Sequence, residues 1–382
     1  MPWQETRPMD QRERFIQDER LALYSMTELC ARYGISRKTG YKWLARFEEE
    51  GRGGLGDRSR APHHCPHRIP PAVARVIVAA RRAHPSWGPR KLLDWLVPRH
   101  PEMEWPAIST AGDLLARRRL VKRRRRRRQH THPGVVPAVT HEPNDLWTAD
   151  FKGHFKTRDG IYCYPLTVAD QHTRYLLGCQ GLLSIHGWRV RPVFERLFTE
   201  YGLPRAIRTD NGVPFATQGL HGLSQLNVWW MRLGITHQRI RPARPQENGC
   251  HERMHKTLKY EATRPPKQDL AAQQRRFATF RAEYNTERPH EALGGKPPAS
   301  RYTHSPRPYP ATLPALEYPG HFLVKPVTAA GNLRFKQKLL FIAHALAHHR
   351  IGFDEVADGV WSIYFGTVLL GRLDERTYTI YG

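Results

Sequence analysis

Apolar side chains in the first sixty residues recur at the three- and four-residue spacing of short helices. Ser25 and Glu28 have the spacing of a capping box, so the first of these helices is predicted over residues 26–33. Gly34 then permits a tight turn, and Ser36 can cap a second helix by accepting a backbone N–H. Two helices joined by a glycine turn predict a helix-turn-helix unit within residues 1–60.

The second of these helices has an apolar stripe and a basic face. It is predicted to run to about Phe47, with Tyr41, Leu44 and Phe47 on the stripe that faces the core. Four basic side chains are left to face outward, where they can reach phosphates and base edges in the major groove. They are Arg37, Lys38, Lys42 and Arg46.

A second set of helical periods follows a stretch rich in Gly, Arg, Pro and His over residues 51–71, which is predicted to be a linker. Helices are predicted near residues 72–83, 89–96 and 108–118, within a domain spanning residues 68–130. Eight apolar side chains are candidates for its small core: Trp87, Leu92, Leu93, Trp95, Leu96, Ile108, Leu114 and Leu115.

This second helical unit ends in an unbroken basic run: Arg123, Arg124, Arg125, Arg126, Arg127 and Arg128. A block of like charge cannot bury itself and stays solvated until it meets an anion. The run is therefore predicted to lie along the phosphate backbone of DNA.

Alternating apolar and polar residues predict three consecutive strands in the middle of the chain, over residues 146–151, 162–169 and 173–180. A helix is predicted over residues 185–201, followed by a short strand at 206–209. Three neighbouring strands, a helix and then further strands interleaved with helices predict a mixed α/β sheet, in a domain covering residues 141–302.

The last part of the chain is again rich in short strands. They are predicted at residues 322–327, 333–341, 351–356, 360–365, 367–373 and 378–381. Asp358 and Gly359 form a hairpin turn signal between two of them. The pattern predicts a small, SH3-like β-barrel over residues 320–382, joined to the middle domain by the Pro-rich stretch 297–319.

Composition narrows the partners of these domains. The chain of 382 residues has a formal net charge of +26 and a sequence pI of about 10.3. Such an excess of Lys and Arg favours a polyanion, above all double-stranded DNA. There is no apolar run of about 20 residues that could span a bilayer and no apolar N-terminal signal segment. The five dispersed cysteines favour reduced thiols, so a cytoplasmic, nucleoid-associated protein without a membrane partner is expected.

Three acidic residues have the placement that metal chemistry requires. Asp150 and Asp210 end predicted strands, and strand alternation puts Asp150 on the same face as Leu146 and Thr148. Glu252 lies on a helix predicted over residues 246–261. Helical spacing places Lys256 and Lys259 on the face of Glu252, and Cys250, Met254 and Leu258 on the opposite, apolar face.

Three carboxylates suffice to hold two hard divalent cations, Mg²⁺ or alternatively Mn²⁺, because such ions keep several waters in their coordination shells. Two cations about 4 Å apart activate the attacking oxygen and neutralise the leaving oxygen of a phosphodiester. We therefore predict Asp150, Asp210 and Glu252 to be both catalytic residues and metal ligands, with Lys256 and Lys259 facing the phosphates of the DNA. Taken alone, Glu252 would be better explained as half of a surface Glu–Lys pair, which is common on helices.

Other candidate residues are better explained as structural. Asp159 and Asp170 stand in turn-like positions, and Asp145 lies on the wrong face of the first strand. Arg288 is expected to tie the end of the last helix of the domain to the core. His290 is not expected to be a base, because a metal-bound nucleophile needs none.

The motifs taken together resemble those of a known family. They are Trp147-Thr-Ala-Asp150, Arg208-Thr-Asp210-Asn-Gly, Pro245-Gln-Glu-Asn-Gly-Cys-His-Glu252-Arg and Tyr284-Asn-Thr-Glu-Arg288-Pro289-His290-Glu-Ala-Leu293. The set resembles the retroviral-integrase-type core of bacterial insertion-sequence transposases, closest to the IS3 and IS481 groups. The resemblance covers residues 141–302, and it implies an RNase H-like fold with a DDE triad at Asp150, Asp210 and Glu252.

The family pattern also indicates which of the two nearby glutamates, Glu247 or Glu252, is the expected metal ligand. Glu247 precedes the Asn-Gly pair that the family's acid follows, so Glu247 is not expected to be a ligand. The spacing from Asp210 to Glu252 is longer than is common in the family, and a loop within residues 215–226 is expected to hold the extra residues.

The leading hypothesis is a transposase that binds terminal inverted repeats and then cuts and joins DNA. Joining two ends implies a homo-oligomer, at least a dimer. Two alternatives stay open: a non-catalytic, transposase-derived DNA-binding regulator, and a phage-type integrase or nuclease on the same scaffold.

Overall fold

The computed structural model describes residues 7–60, 69–121, 140–217, 222–240 and 249–381. Contacts divide the chain into two compact units, Met1–Arg68 and Ile69–Gly382. The basic run from Arg123 to Arg128 and the residue Glu247 lie outside the described residues.

The first unit contains three helices: α1 (Pro8–Arg20), α2 (Met26–Arg32) and α3 (Arg37–Glu50). Both predicted caps are confirmed. Ser25 and Glu28 form a reciprocal capping box at α2, and Ser36 accepts the backbone N–H of Thr39 at α3. The turn between α2 and α3 uses Gly34 at a φ of +64°, a left-handed conformation that glycine adopts without strain. The helix α1 was not predicted.

The core of the first unit corrects two predictions. Tyr41 is 58% exposed and does not face the core, whereas Trp43 is buried and supports the Arg12 guanidinium 4.0 Å from its ring centroid. The beginning of the predicted linker is a 3-10 helix, Gly51–Leu55, and Leu55 is buried in the core. Both differences arise because α1 covers a face of α3 that the two-helix prediction left open.

The second unit begins with α4 (Pro71–Ala83), α5 (Pro89–Leu96) and α6 (Ile108–Arg117), close to the predicted bounds. Their apolar faces meet around Trp87, Leu92 and Leu115, as expected. Ile108 is the exception: it is 43% exposed because it is the first residue of α6 and lies at the edge of the bundle. Trp95 is only partly buried against this core.

A mixed sheet with helices on both faces follows. Its elements are β1 (Leu146–Phe151), β2 (Phe155–Lys156), β3 (Tyr162–Asp170), β4 (Leu176–Leu182), α7 (Gly187–Tyr201), β5 (Ala206–Thr209), α8 (Gln225–Arg232), β6 (Thr236–Arg239), α9 (Gly249–Glu261) and α10 (Leu270–Thr286). The strand order is β4-β3-β1-β5-β6, with β2 paired to the end of β3. Strands β4, β3 and β1 are antiparallel, and β1, β5 and β6 are parallel. This is the RNase H-like fold that the resemblance implied.

The two faces of β1 contact different helices. Trp147 and Ala149 are buried in the main core with α7, and the indole N–H of Trp147 donates to Asn144 at 3.0 Å. Thr148 faces the other way, toward α9. The predicted alternation along this strand is therefore confirmed, and it directs Asp150 to the α9 side of the sheet.

Some elements of this domain differ from expectation. The strand predicted from residue 173 begins at Leu176 because residues 171–175 form the turn after β3, closed by Asp170. The segment in which a loop was expected ends in a helix, α8, of which Trp229 and Trp230 are buried in the main core. Strand β2 and helix α8 lacked a clear period in the sequence.

The last region has the predicted strand content but does not close into the SH3-like barrel. Its strands are β7 (Leu323–Pro326), β8 (Asn332–Phe335), β9 (Lys338–Phe341), β10 (Arg350–Ala357), β11 (Val360–Phe365), β12 (Val368–Asp374) and β13 (Thr379–Tyr381). Five of them form an open antiparallel sheet in the order β13-β12-β11-β10-β7. The strand predicted over residues 333–341 is instead a hairpin, β8–β9, turned at Lys336 with a φ of +51°. Strands β8 and β9 therefore form a separate two-stranded sheet.

Within the described ranges, no helix has the length and apolar character needed to cross a membrane.

Candidate active site

The first two predicted ligands lie at equivalent positions of neighbouring parallel strands. Leu146 of β1 pairs with Ala206 of β5, and Thr148 pairs with Arg208. The same offset of 60 positions leads from Asp150 to Asp210, so both aspartates lie at the carboxyl ends of their strands. Neighbouring strands of a sheet are about 5 Å apart. The sheet therefore brings together two carboxylates that are distant in sequence.

The Asp210 side chain is held by a turn. Its Oδ1 accepts the backbone N–H of Gly212 at 3.1 Å, and the Asn211 side chain donates to the carbonyl of Ile240 at 2.9 Å. Just before it, Thr209 shares a hydrogen bond of 2.8 Å with His237 of β6. The Asp-Asn-Gly motif thus positions the carboxylate at the end of β5 by an Asx turn.

Glu252 reaches the same edge from helix α9. It lies in the first turn of α9 and is exposed, as are Lys256 and Lys259. The predicted polar face is therefore observed. The predicted apolar face is partly wrong, because Cys250 is exposed and the buried residues are Met254, Leu258 and two histidines.

The electrostatics of Asp150 depend on both of the other predicted acids. Burial and the negative charges of Asp210 and Glu252 together raise the pKa of the Asp150 carboxyl to about 7, against the opposing effects of the Phe151 backbone N–H and the charge of Lys152. Burial and neighbouring negative charges destabilise the ionised form of this carboxyl, and a bound cation would stabilise it. Lys152 was not predicted, although it shares the face of Asp150 two positions further along the chain.

Two buried histidines of α9, His251 and His255, were missed by the sequence reasoning. Both contact the hydroxyl of Thr167 on β3 through their Nε2 atoms, each at 2.7 Å. His251 also contacts Thr148 through Nδ1 at 2.8 Å, and His255 Nδ1 lies 3.6 Å from the Asp150 carboxylate. Their spacing of four residues would have placed them on one helix face, but histidine alone does not signal burial.

These contacts form a chain that ends at Asp150. Burial lowers the pKa of His251 to about 3 and that of His255 to about 2, so both imidazoles are neutral and carry one proton each. The Thr148 and Thr167 hydroxyls also donate to the backbone carbonyls of Ala169 and Asp150, at 3.3 and 3.1 Å, so each hydroxyl shares its one proton between a carbonyl and an imidazole nitrogen. We assign the proton of His255 to Nδ1, because the other tautomer would set an imidazole lone pair against the Asp150 carboxylate. At 3.6 Å this contact is longer than a hydrogen bond, and it places His255 beside the first predicted ligand.

Replacing Thr167 by valine is expected to lower the free energy of unfolding by about 1 to 3 kcal/mol, because two buried imidazole nitrogens lose their partner. Urea unfolding followed by tryptophan fluorescence measures the change. Thr199→Val is the matched control, since the Thr199 hydroxyl is exposed and bonds only the carbonyl of Glu195 on its own helix. Equal destabilisation by the two substitutions would contradict the role assigned to Thr167.

Acidification is expected to unfold the metal-free protein. Burial lowers the pKa values of His237, His251 and His255 to about 4, 3 and 2, well below the ordinary value of 6.5. A depressed histidine pKa gives stability that is present above pH 6.5 and is lost as the pH falls, by about 2 kcal/mol for each histidine at pH 5. The raised pKa values of Asp94, Asp150 and Asp170 act oppositely, but burial also lowers the pKa values of His84, His290 and His349, so the histidines outnumber these carboxyls. Urea midpoints at pH 7, 6 and 5 should fall steadily, and a flat profile would refute the expectation.

The other candidate acids have structural roles, as predicted. Asp170 is buried and accepts hydrogen bonds from Asn144 and from both the N–H and hydroxyl of Thr173. Asp159 closes the turn before β3, and Asp145 caps the entry to β1 and pairs with Arg205 at 3.2 Å.

The Arg288-Pro289-His290 segment is also structural. Arg288 pairs with Glu261 at the end of α9 at 2.9 Å, with its side chain 10% exposed, and so ties the end of α10 to α9 as expected. His290 packs edge-on against Tyr284 at 5.0 Å, and burial lowers its pKa to about 3.

The donor set fits a hard divalent cation, since all three predicted ligands are carboxylates whose repulsion destabilises Asp150. In the part of the chain that the structure describes, no group of three or more His, Cys, Asp or Glu side chains is close enough together to hold a metal ion. The two aspartates are fixed by strands, whereas the exposed Glu252 side chain is free to change its rotamer.

The predicted DNA-contacting residues of the first unit lie on α3. Arg37, Lys38 and Lys42 are exposed, and Lys42 also lies 4.3 Å from the ring of Trp43. Arg46 is only partly exposed and packs over the same ring at 5.2 Å. A basic surface on the second helix of a helix-turn-helix is thus present.

Comparison with known sequence families agrees with this architecture. Two families described as "Integrase core domain" match residues 140–245 and 233–298. A family described as "Helix-turn-helix domain" matches residues 11–63, and one described as "Homeodomain-like domain" matches residues 39–115.

Several curated proteins are similar to this chain. A 39.2 kDa protein of insertion element IS476 from Xanthomonas euvesicatoria is 29% identical over 234 residues, which cover 60% of this chain and 64% of that protein. A 31.7 kDa protein of insertion element IS407 from Burkholderia multivorans is 29% identical over 158 residues, covering 41% and 54%. The Pol polyprotein of Radiation murine leukemia virus is 29% identical over 222 residues, covering 52% and 36%. The chain therefore spans less than two thirds of the length of each of these relatives.

Matches among solved structures include the HTLV-2 integrase catalytic core domain in complex with magnesium. It is 17% identical with a TM-score of 0.34, and the match covers 42% of this chain and 98% of that one. A chain of the simian T-cell lymphotropic virus intasome, solved with PP2A regulatory subunit B56 gamma, is 18% identical with a TM-score of 0.39, covering 74% and 97%.

The matches to integrase core families span residues 140–298, and those to helix-turn-helix and homeodomain-like families precede them and extend to residue 115. The chain is similar to proteins of bacterial insertion elements, which confirms the resemblance seen in its motifs. The finer assignment to the IS3 and IS481 groups stays a prediction.

Proposed function

We propose that this protein is a DNA transposase that cuts and joins DNA strands by two-metal-ion chemistry. The observation that carries the proposal is the register of β1 and β5, which sets Asp150 beside Asp210 at the end of the sheet nearest Glu252. Three acids that repel one another at the edge of a sheet lower the stability of the fold, and the charge of Lys152 opposes that repulsion only in part. Their expected use is to bind cations.

In this proposal Asp150, Asp210 and Glu252 hold two Mg²⁺ ions, which Mn²⁺ can replace. When bound, such ions activate the attacking oxygen and neutralise the leaving oxygen of a phosphodiester. The chain's own contribution is to fix the two aspartates on rigid strands, to place His255 beside Asp150, and to bring Glu252 in from α9. Lys256 and Lys259 on the same face of α9 bind the neighbouring phosphates.

Recognition of the DNA falls to the helical units. Helix α3 is proposed to enter the major groove of a terminal inverted repeat, with Arg37, Lys38 and Lys42 at phosphates and base edges and Arg46 at the backbone. The run from Arg123 to Arg128 is proposed to follow the phosphates of the end or target DNA. Joining two ends requires at least two protomers, so a homo-oligomer that acts on cytoplasmic DNA is expected.

The proposal is tested with a labelled duplex that carries the terminal sequence flanking the gene. In Mg²⁺ or Mn²⁺ the purified protein should cleave this duplex at the terminus and join it to a second DNA, and EDTA should abolish both reactions. A duplex of scrambled terminal sequence is the control, and it should be neither cleaved nor joined efficiently.

The same assay separates the alternatives. A non-catalytic regulator would bind the terminal duplex equally well in Mg²⁺ and in EDTA and would leave it intact in both. A phage-type integrase or a nuclease on this scaffold would act with Mg²⁺ but would use a different sequence or yield only cut DNA. Either result would refute the transposase proposal.

A further inference from the structure

A cavity of about 520 Å³ lies between the segment that connects α4 to α5 and the helices α9 and α10. It lies outside the proposed metal site. Its lining combines residues 83–87, which connect α4 to α5, with side chains from the ends of α9 and α10. A volume between about 300 and 1,000 Å³ is typical of pockets that bind small organic ligands.

Aromatic rings form much of its lining. Trp87 is buried and stacks on His84 with ring centroids 3.9 Å apart, and Tyr284 is buried on the α10 side. Tyr260, in the last turn of α9, differs from them because it is 54% exposed. An exposed aromatic ring beside a cavity offers a free face for stacking a planar group.

The charges of the cavity favour an anionic ligand. Three arginines line it against two glutamates, and both glutamates are engaged: Glu261 with Arg288 and Ser86, and Glu283 with Arg276 at 3.6 Å. Arg264 is exposed. The lining therefore keeps one net positive charge, next to aromatic surface.

The cavity lies at the end of α9, the helix that also carries Glu252 in its first turn. Glu252, Lys256, Lys259 and Tyr260 are all exposed on this helix, and Tyr260 lies eight residues beyond Glu252. At 1.5 Å per residue the separation is about 12 Å along the axis. That is the length of three or four stacked nucleotides at about 3.4 Å each. A strand whose phosphates follow the two lysines would reach the cavity.

We propose that this cavity binds an unpaired nucleotide of the DNA held at the catalytic site, with its base against Tyr260 and its phosphate near Arg264. The inference rests on the proposed function, since it assumes DNA on the exposed face of α9. Stacking on an aromatic side chain tolerates any base, because every base has a flat π-face. The site therefore favours frayed or single-stranded DNA ends over blunt ones, whatever the sequence.

The test uses the full chain with the substitution Asp210→Asn, which binds DNA without cutting it. The probes are hairpin duplexes that are blunt or carry four unpaired thymidines at the 5′ or the 3′ end. Fluorescence anisotropy gives their affinities. In a second measurement 5-iodouracil replaces each unpaired thymine in turn, and after irradiation the crosslinked peptide is identified by mass spectrometry.

One overhang is expected to bind about 10-fold more tightly than the blunt hairpin and to crosslink to Tyr260, from the usual strength of base stacking. Tyr260→Ala should abolish that preference, and Tyr260→Phe should keep it. Tyr381→Ala is the matched control, because Tyr381 is 46% exposed on the terminal strand β13. Equal binding of all hairpins, a crosslink elsewhere, or an equal loss with Tyr381→Ala would overturn the inference.

The two proposals fail in different ways. If the wild-type protein does not join DNA but still prefers an overhang through Tyr260, the transposase proposal fails and the cavity is a nucleotide site. If joining proceeds while Tyr260→Ala leaves the overhang preference unchanged, the cavity proposal fails alone.

Discussion

Asp210→Asn is expected to reduce strand cleavage and joining by about 10³-fold or more, since it removes one carboxylate from the proposed metal site. The same change is expected to stabilise the metal-free protein at pH 8 by about 1 kcal/mol. The reason is that the charge of Asp210 helps to raise the pKa of Asp150 to about 7, so removing that charge makes ionisation of Asp150 less unfavourable. Loss of activity with a gain in stability is the signature of a functional residue.

The control for this prediction is Asp159→Asn. Asp159 belongs to the same domain and closes the turn before β3, a role that asparagine performs equally well. Joining of a labelled terminal duplex and urea unfolding at pH 8 without metal are measured for both variants. An Asp210→Asn protein that joins DNA at the wild-type rate, or that is inactive only because it is less stable than the wild type, would refute the assignment.

Arg288→Ala is expected to lower the free energy of unfolding by about 3 to 5 kcal/mol. The Arg288 guanidinium pairs with Glu261 at 2.9 Å, and the two side chains are only 10% and 20% exposed. Removing the arginine leaves the glutamate charge in a poorly solvated position and detaches the end of α10 from α9. Because α9 also carries Glu252, a matching loss of metal-dependent activity is expected.

Arg191→Ala is the matched control for that loss. Arg191 and Glu195 pair at the same distance of 2.9 Å on helix α7, but the side chains are 50% and 38% exposed. An exposed pair of this kind contributes less than about 1 kcal/mol, so urea unfolding should separate the two variants clearly. If both substitutions cost the same, burial does not strengthen the Arg288 contact.

Local signals in the sequence were sufficient for much of the fold. The capping box at Ser25 and the strand at residues 206–209 were predicted with bounds close to the observed ones, because caps and short alternating strands are set by neighbouring residues. The acids Asp150 and Asp210 were found in the same way, since each ends a strand. Their pairing across β1 and β5 followed from the family resemblance and not from spacing.

Burial was harder to predict than secondary structure. Tyr41 and Trp43 both lie on α3, and only the presence of α1 decides that the tryptophan is the core residue. Likewise, nothing in the sequence indicated that the histidines of α9 are buried, because their hydrogen-bond partners, Thr148 and Thr167, belong to distant strands of the sheet. The spacing of apolar residues identifies the apolar face of a helix, but the element that packs against this face is distant in sequence.

By itself the sequence determined most of the elements and the basic character of the chain, and it singled out the three acids as candidates, because those depend on residue type and local spacing. The tertiary structure alone decided that Asp150 is half-buried beside His255, that the C-terminal strands form an open sheet, and that a cavity lies between the α4–α5 connection and the helices α9 and α10. These features depend on contacts between residues tens or hundreds of positions apart, which strand pairing and helix packing create only once the chain has folded.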